Sequence, residues 1–334
     1  MRIHITNLYG QSPQSVALMS QNMVTEIANS LGFKEIGIYN FCPDLSNKEA
    51  VFSRFDGMNA AVGSDDIVII QSPTWNGTEY DLAYIRRLKI YSNIKLAVFI
   101  HDVIPLMFTN NFYLMDQTIE MYNLADLLIV PSQKMLDTLR GYGLTVEKVI
   151  IQHMWDHPTD LRLDSPKFER LINFAGSPDR FPFLYDWKYE TNLRLFSDKR
   201  IDNPDLNIKS EGWRYSIDLL NSLSQNGGFG LVWPQGGDGN YYELNISYKL
   251  STYLAAGIPV IVPKTLSNAS IIEKNNLGFV VENLQEANDL VSIISEDHYR
   301  FLLNNVWEYR ELLIRGDYTR KLLIDTVHSL LTTD

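Results

Sequence analysis

The run NISYKLSTYLAAGIPVIV, Asn245 to Val262, holds the residues of this chain best suited to chemistry. A polar segment opens a helix, Gly257 closes it, and Pro259 leads into an apolar strand. A helix start offers free backbone amides and the positive end of a dipole. Ser247, Tyr248 and the Lys249 ammonium would there form a cradle for a diphosphate. An amphipathic helix with a solvated lysine has the same spacing, and spacing alone leaves both readings open. Metal chemistry has little to work with, because no Asp-x-Asp triplet occurs to hold a metal against a diphosphate. His153 and His157 stand at the spacing of a helical zinc pair, but Pro158 and the surrounding composition argue against a helix there. A phosphate loop of the Walker type is absent as well. No metal and no cofactor are expected.

The elements that would position these residues alternate. Short Val/Ile-rich runs separated by helical patterns predict parallel sheets buried on both faces. In the first half the strands fall at Arg2 to Asn7, Glu35 to Phe41, Asp66 to Gln71, Ile94 to His101, Leu127 to Pro131 and Lys148 to Gln152. A helix is predicted from Ser15 to Leu31, with Gly32 just past its end, and another opens at the N-cap Ser132 and closes near Gly141 or Gly143. His153 to Arg170, with two prolines and no sustained period, reads as an interdomain linker.

The alternation then resumes with strands at Leu171 to Ala175, Leu193 to Phe196, Gly230 to Trp233, Pro259 to Pro263 and Gly278 to Glu282. Helices are expected at Ser216 to Ser224, Asn245 to Ala256, Asn268 to Asn275 and Leu284 to Ile294, and two more between Asp297 and Leu331, separated at Arg315 and Gly316. The fold class is α/β: two doubly wound, Rossmann-like domains, 1–155 and 156–314, facing each other across a cleft. A last helix, 315–334, is expected to cross back to the first domain. Such sheets bind ligands at the carboxyl ends of their strands. Architecture alone does not choose among the functions built on it.

Composition narrows the classes. The 334 residues exceed the size of one ordinary core, which agrees with two domains. A net charge of −11 repels nucleic acid and anionic lipid, so neither is an expected partner, and a polyanionic ligand must be held by local cations. The amino terminus reads as a strand and a polar loop, and no apolar stretch is long enough to span a bilayer. A cytoplasmic protein with no membrane association is therefore expected. The single cysteine, Cys42, forms no internal disulfide and reads as a buried strand-end residue.

The segment SYKLSTYLAAGIPVIV resembles the sugar-nucleotide segment of GT-B glycosyltransferases. ITNLYGQSPQS (Ile5 to Ser15), QSPTWNGTEYD (Gln71 to Asp81), FIHDVIPLMF (Phe99 to Phe108), NFYLMDQTI (Asn111 to Ile119), VPSQKM (Val130 to Met135), QHMWDHPT (Gln152 to Thr159), GSPDRFPF (Gly176 to Phe183) and GGFGLVW (Gly227 to Trp233) extend the resemblance along the whole chain. The family they resemble is the glucosyltransferase encoded beside accessory-Sec serine-rich-repeat adhesins of streptococci and lactobacilli. That family adds the second sugar, onto O-linked GlcNAc.

The resemblance implies a UDP-sugar donor held by Gly176, Ser177, Arg180, Trp213, Asn245, Ser247, Tyr248 and Lys249, with Arg180 and Lys249 on the diphosphate. Two fixed cations would stabilise the charge gathering on the leaving UDP. Arg180 could otherwise be a surface ion-pair residue. Trp213 replaces the family's tyrosine against the uracil and keeps a stacking face, although a core tryptophan fits as well. The acceptor side is expected in the first domain, at Gln11, Ser12, Ser15, Thr74 and Trp75 on the strand-end loops. His101 and Asp102 follow the fourth strand. Either could act as general base, or the pair could only shape its loop.

Thr252 stands about where many retaining GT-B enzymes place a glutamate, and Glu243 reads as a solvated loop carboxylate, so the stereochemistry stays open. The expected partners are a UDP-sugar and a GlcNAc-modified serine-rich-repeat protein, with the chain a homo-oligomer, dimer or tetramer. Glucose is the favoured donor sugar and GlcNAc the other. Competing readings are a non-catalytic companion of another transferase and a GT-B-shaped sugar-nucleotide epimerase.

Overall fold

The computed structural model describes residues 1–41, 43–234 and 239–332; Cys42 lies outside them. The chain divides into two compact units, Met1–His153 with Tyr318–Asp334, and Met154–Asp317.

Unit 1 runs β1 (Ile3–Tyr9), α1 (Val16–Ser30), β2 (Lys34–Tyr39), α2 (Lys48–Met58), β3 (Ile67–Ser72), α3 (Thr78–Leu88), β4 (Lys95–Ile100), α4 (Ile104–Met107), α5 (Met115–Asn123), β5 (Leu127–Val130), α6 (Gln133–Gly141) and β6 (Val149–Ile151). Its sheet is parallel, in the order β2-β1-β3-β4-β5-β6. Every residue of β3 and β5 is buried, as expected of strands covered on both faces. Capping sets the helix starts: the Ser15 hydroxyl accepts from Leu18 N–H at 3.3 Å and Ser132 from Met135 N–H at 3.0 Å.

Unit 2 runs β7 (Leu171–Ala175), β8 (Asn192–Phe196), β9 (Ile208–Ser210), α7 (Ser216–Asn226), β10 (Phe229–Leu231), α8 (Gly239–Tyr242), α9 (Tyr248–Ala255), β11 (Val260–Pro263), α10 (Ala269–Lys274), β12 (Gly278–Val281), α11 (Leu284–Ile293) and α12 (Glu296–Arg315). The parallel order is β12-β11-β10-β7-β8-β9, the doubly wound arrangement whose strand order reverses between β7 and β10. In unit 1 the reversal falls between β1 and β3. Gly316, at φ 74°, ends α12 in the left-handed conformation that a glycine adopts without steric cost, and α13 (Asp317–Leu331) follows. Among the described residues no helix is long and apolar enough to cross a membrane.

The segment 318–334 belongs to unit 1, where two lysines hold the end of α13. Lys95 Nζ donates to the Leu330 carbonyl at 2.5 Å, and Lys148 Nζ to the carbonyls of Ser329 at 2.6 Å and Thr332 at 2.9 Å. Cations there satisfy orphaned carbonyls and the negative end of the helix dipole.

In the stretch read as an interdomain linker, Met154, Trp155, Asp156 and His157 are buried, and His157 N–H donates to the Leu313 carbonyl at 3.1 Å within unit 2, while 158–170 carry no helix or strand and are mostly exposed. Two expectations need correction. The helix expected from Asn245 begins at Tyr248, because the Asn245 side chain accepts from Ile246 N–H at 2.8 Å and its carbonyl accepts from Ser267 Oγ at 2.7 Å, which holds it in a turn. The edge strand β9 was not foreseen from its short Ile-Lys-Ser run.

Candidate active site

In unit 2, the loops after β7 and β10 open at the point where strand order reverses. The first carries Gly176 to Phe181 and the second leads into α9. One residue of α9, Tyr253, joins the two. It is fully buried, its ring presses on β10 where any Cβ at Gly230 would come within 2.2 Å of it, and its hydroxyl accepts from Ala175 N–H at 2.9 Å. Lys249 is one helical turn earlier, on the same side of α9. The tyrosine therefore fixes the lysine relative to the end of β7.

Phe181 completes the arrangement. It is 3% exposed and packs edge-to-face on Phe174 at 5.0 Å and on Tyr242 at 6.4 Å between ring centroids. Its ring carries Lys249 Nζ 4.5 Å from the centroid and the Arg180 guanidinium carbon at 5.8 Å. Both expected cations thus lie within cation–π range of one ring, a contact worth about 1 kcal/mol or less each, with Arg180 itself exposed. The loop is tightened by Arg180 and Phe181 N–H groups, both donating to the Ser177 carbonyl at 3.1 Å. Gly176 leaves room for the ring: a Cβ there would stand 2.9 Å from Phe181.

Ser247 occupies the N-cap position of α9, so Tyr248 and Lys249 are its first two helical residues, with the dipole behind them. Asn245 sits in the turn just before and donates to the Tyr241 hydroxyl at 3.1 Å. Trp213 lies on the loop after β9, two strands from β7. It is 38% exposed and packs edge-to-face on Tyr215 at 4.4 Å, so it is not a core residue. Thr252 and Glu243 differ in setting: Thr252 is buried and Glu243 half-buried.

In unit 1, the acceptor-side candidates gather on the loops after β1 and β3, where that sheet reverses. Ser15 both caps α1 and donates to Gln11 Oε1 at 2.7 Å, while Ser12 is exposed and its hydroxyl accepts from Gln14 N–H at 3.3 Å. Thr74 donates through its hydroxyl and its N–H to buried Asp81, whose carboxyl burial pushes up to about 6. Trp75 is half-buried with φ at 61°, its carbonyl accepting from Asn40 Nδ2 at 2.8 Å. A bulky residue in that conformation costs about 1–3 kcal/mol, which the bonds of Asn40 and Asp81 to this loop offset. His101 is 3% exposed, with Nδ1 3.2 Å from Ser20 Oγ, and burial drives its imidazole down to about 3. Asp102 beside it is half-buried.

Sequence reasoning missed Phe181 and Tyr253. Phe181 was legible only as the aromatic following Arg180, and Tyr253 only as the residue one turn beyond Lys249; neither signal assigns a role without the packing.

The glucosyltransferase 3-like N-terminal domain matches residues 2–154 and the glucosyltransferase 3-like C-terminal domain residues 172–326. Glucosyltransferase 3 of Streptococcus gordonii is 48% identical over 336 residues, covering 99% of this chain and 100% of that protein. Glucosyltransferase 3 of Streptococcus parasanguinis is 45% identical over 327 residues, covering 98% of each. Anabaena Alr3699/HepE, solved in complex with UDP-glucose, superposes with a TM-score of 0.66 at 12% identity over 98% of this chain and 100% of its own, which shows a shared fold. Two doubly wound parallel sheets with this match along nearly their whole length mean that the chain belongs to the glucosyltransferase 3-like family and is a glycosyltransferase of GT-B fold.

Proposed function

We propose that this chain transfers a hexose, glucose before GlcNAc, from a UDP-sugar to GlcNAc O-linked on a serine-rich-repeat adhesin. The observation that carries the donor half is the meeting of Arg180 and Lys249 on the Phe181 ring, at the strand reversal of unit 2. As the glycosidic bond breaks, negative charge gathers on the departing diphosphate. Two cations already in place stabilise it without reorganising. They stand in for a metal, so the reaction runs without one and without any other cofactor. The α9 amides add the helix-terminal field, and exposed Trp213 offers a stacking face to the uracil.

The acceptor is assigned to the unit 1 loops bearing Gln11, Ser12, Ser15, Thr74 and Trp75. Burial drives the His101 imidazole down to about 3 and keeps it neutral at neutral pH; an inverting transfer would pass the acceptor proton to His101 or Asp102, the two candidates after β4. Support for glucose comes from the names of the streptococcal relatives, and support for a UDP-sugar from the ligand in the Anabaena structure. A cytoplasmic homo-oligomer completes the reading.

The test incubates a panel of UDP-sugars with the full chain, with and without GlcNAc-modified serine-rich peptide. Hexose gain on the peptide, strongest with UDP-glucose, is expected. Conversion of one UDP-sugar into another without peptide would instead identify an epimerase, and no turnover in either arm a non-catalytic companion.

A further inference from the structure

Behind the first turn of α9 lies a buried polar chain to which the donor-site residues assign no role. His157 is 4% exposed. Its Nε2 lies 3.2 Å from Ser216 Oγ, on the first residue of α7, and its Nδ1 3.4 Å from Thr252 Oγ1 on α9. Thr252 Oγ1 also lies 3.1 Å from the Tyr248 carbonyl, to which it donates. With that hydroxyl proton on the Tyr248 carbonyl, the assignment that satisfies every partner has Thr252 accept from a His157 protonated on Nδ1. Nε2 then accepts from Ser216. All the hydrogen bonds run in one direction: Ser216 to His157, His157 to Thr252, Thr252 to Tyr248. Burial drives the His157 imidazole down to about 4, which keeps it neutral, as this chain requires.

The packing follows the same path. The Tyr248 ring lies 5.5 Å from the His157 ring and 6.2 Å from Trp155, and Ser251 Oγ donates to the Trp155 carbonyl at 2.6 Å. One end of the chain anchors the loop that bears Trp213, three residues before Ser216. The other anchors the helix start that bears Lys249, three residues before Thr252.

We propose that His157 is a positioning residue that locks the nucleobase-side loop before α7 to the diphosphate-side start of α9, so that both halves of a UDP-sugar meet one rigid site. This rests on the donor-site assignment above. It also gives Thr252 a place in the hydrogen-bond chain. Without the lock the two ends of the nucleotide are held independently, and binding must supply the ordering.

Full-length His157→Ala, His157→Asn and Thr252→Val are compared with wild type and Lys249→Ala by UDP calorimetry and donor kinetics. The near-isosteric Thr252→Val keeps the test open should a His157 variant fail to fold. His157→Ala and Thr252→Val are expected to weaken UDP binding and raise the donor KM by about tenfold, with a smaller loss in kcat. His157→Asn, whose amide reaches the Nδ1 position, recovers part of the loss. A histidine that served stability alone would lower Tm and leave UDP affinity unchanged. That result, with Lys249→Ala weakened, overturns the positioning role and leaves the donor site standing. If Lys249→Ala itself binds UDP like wild type, the donor-site assignment falls and the positioning role with it.

Discussion

Adding one methyl group at Gly176 would disturb the proposed donor site without removing any charged or polar group from it. The new Cβ would stand 2.9 Å from one Phe181 carbon and 3.0 Å from both a second and a Phe174 carbon. Carbon atoms pack best at about 3.5–4.0 Å, so the Phe181 ring must retreat by roughly 0.5–1 Å. No backbone strain adds to this, because Gly176 does not adopt the left-handed region. Phe181 is buried against Phe174 and Tyr242, and forcing such a ring aside costs about 1–3 kcal/mol. The displaced ring takes with it the neighbouring Arg180 and the platform under Lys249. Misplacing catalytic groups by about 1 Å costs on the order of a hundredfold in rate. Gly176→Ala is therefore expected to melt cooperatively a few degrees below wild type while kcat/KM for the donor falls between about tenfold and a hundredfold. Steady-state kinetics on the purified full chain provides the measurement. An unchanged kcat/KM in a variant whose Tm has dropped would refute the claim that Phe181 sets the geometry of the two cations.

Three further outcomes are expected. Lys249→Ala should keep its fold and lose about 10²–10³-fold in kcat, the usual effect of removing one preorganised charge-stabilising group; turnover at the wild-type rate would remove Lys249 from the site. Transfer should survive EDTA, since Arg180 and Lys249 carry the charge, and loss in chelator restored by manganese would reject the metal-free reaction. Asp81, fully buried, has its carboxyl pushed up to about 6 from 3.8, so the folded state holds that proton more tightly than the unfolded chain does. Its stabilising contribution is present below about pH 4 and is lost as pH rises through about 6, an effect of roughly 3 kcal/mol. Urea melts of wild type and Asp81→Asn below about pH 4 and above about pH 6 should show wild type losing about that amount of stability relative to the variant as pH rises, and a difference independent of pH would contradict it.

The strands were legible because a parallel sheet covered on both faces demands continuous apolar runs, as in Ile67–Ser72 and Leu127–Val130, where every residue is buried. Helix ends were legible where a side chain or a glycine does local work: Ser15, Ser132, Gly316. β9 escaped because three residues at a sheet edge carry no pattern. The burial of Met154 and Trp155 was not legible, because the prolines and charges that follow them suggest solvent. At the proposed donor site, Arg180 and Lys249 were named from their motifs. Their common contact, Phe181, was not, since it depends on where α9 packs. The chain from Ser216 through His157 to Thr252 joins residues up to 95 positions apart, and no local spacing encodes it.

The most direct test of the account is a structure of the full chain with UDP bound. The diphosphate is expected at the first turn of α9, within contact of both the Lys249 ammonium and the Arg180 guanidinium, with the uracil toward Trp213. A diphosphate seated instead on the unit 1 loops after β1 and β3, with Arg180 and Lys249 facing solvent, would contradict the donor-site assignment on which the proposed function rests.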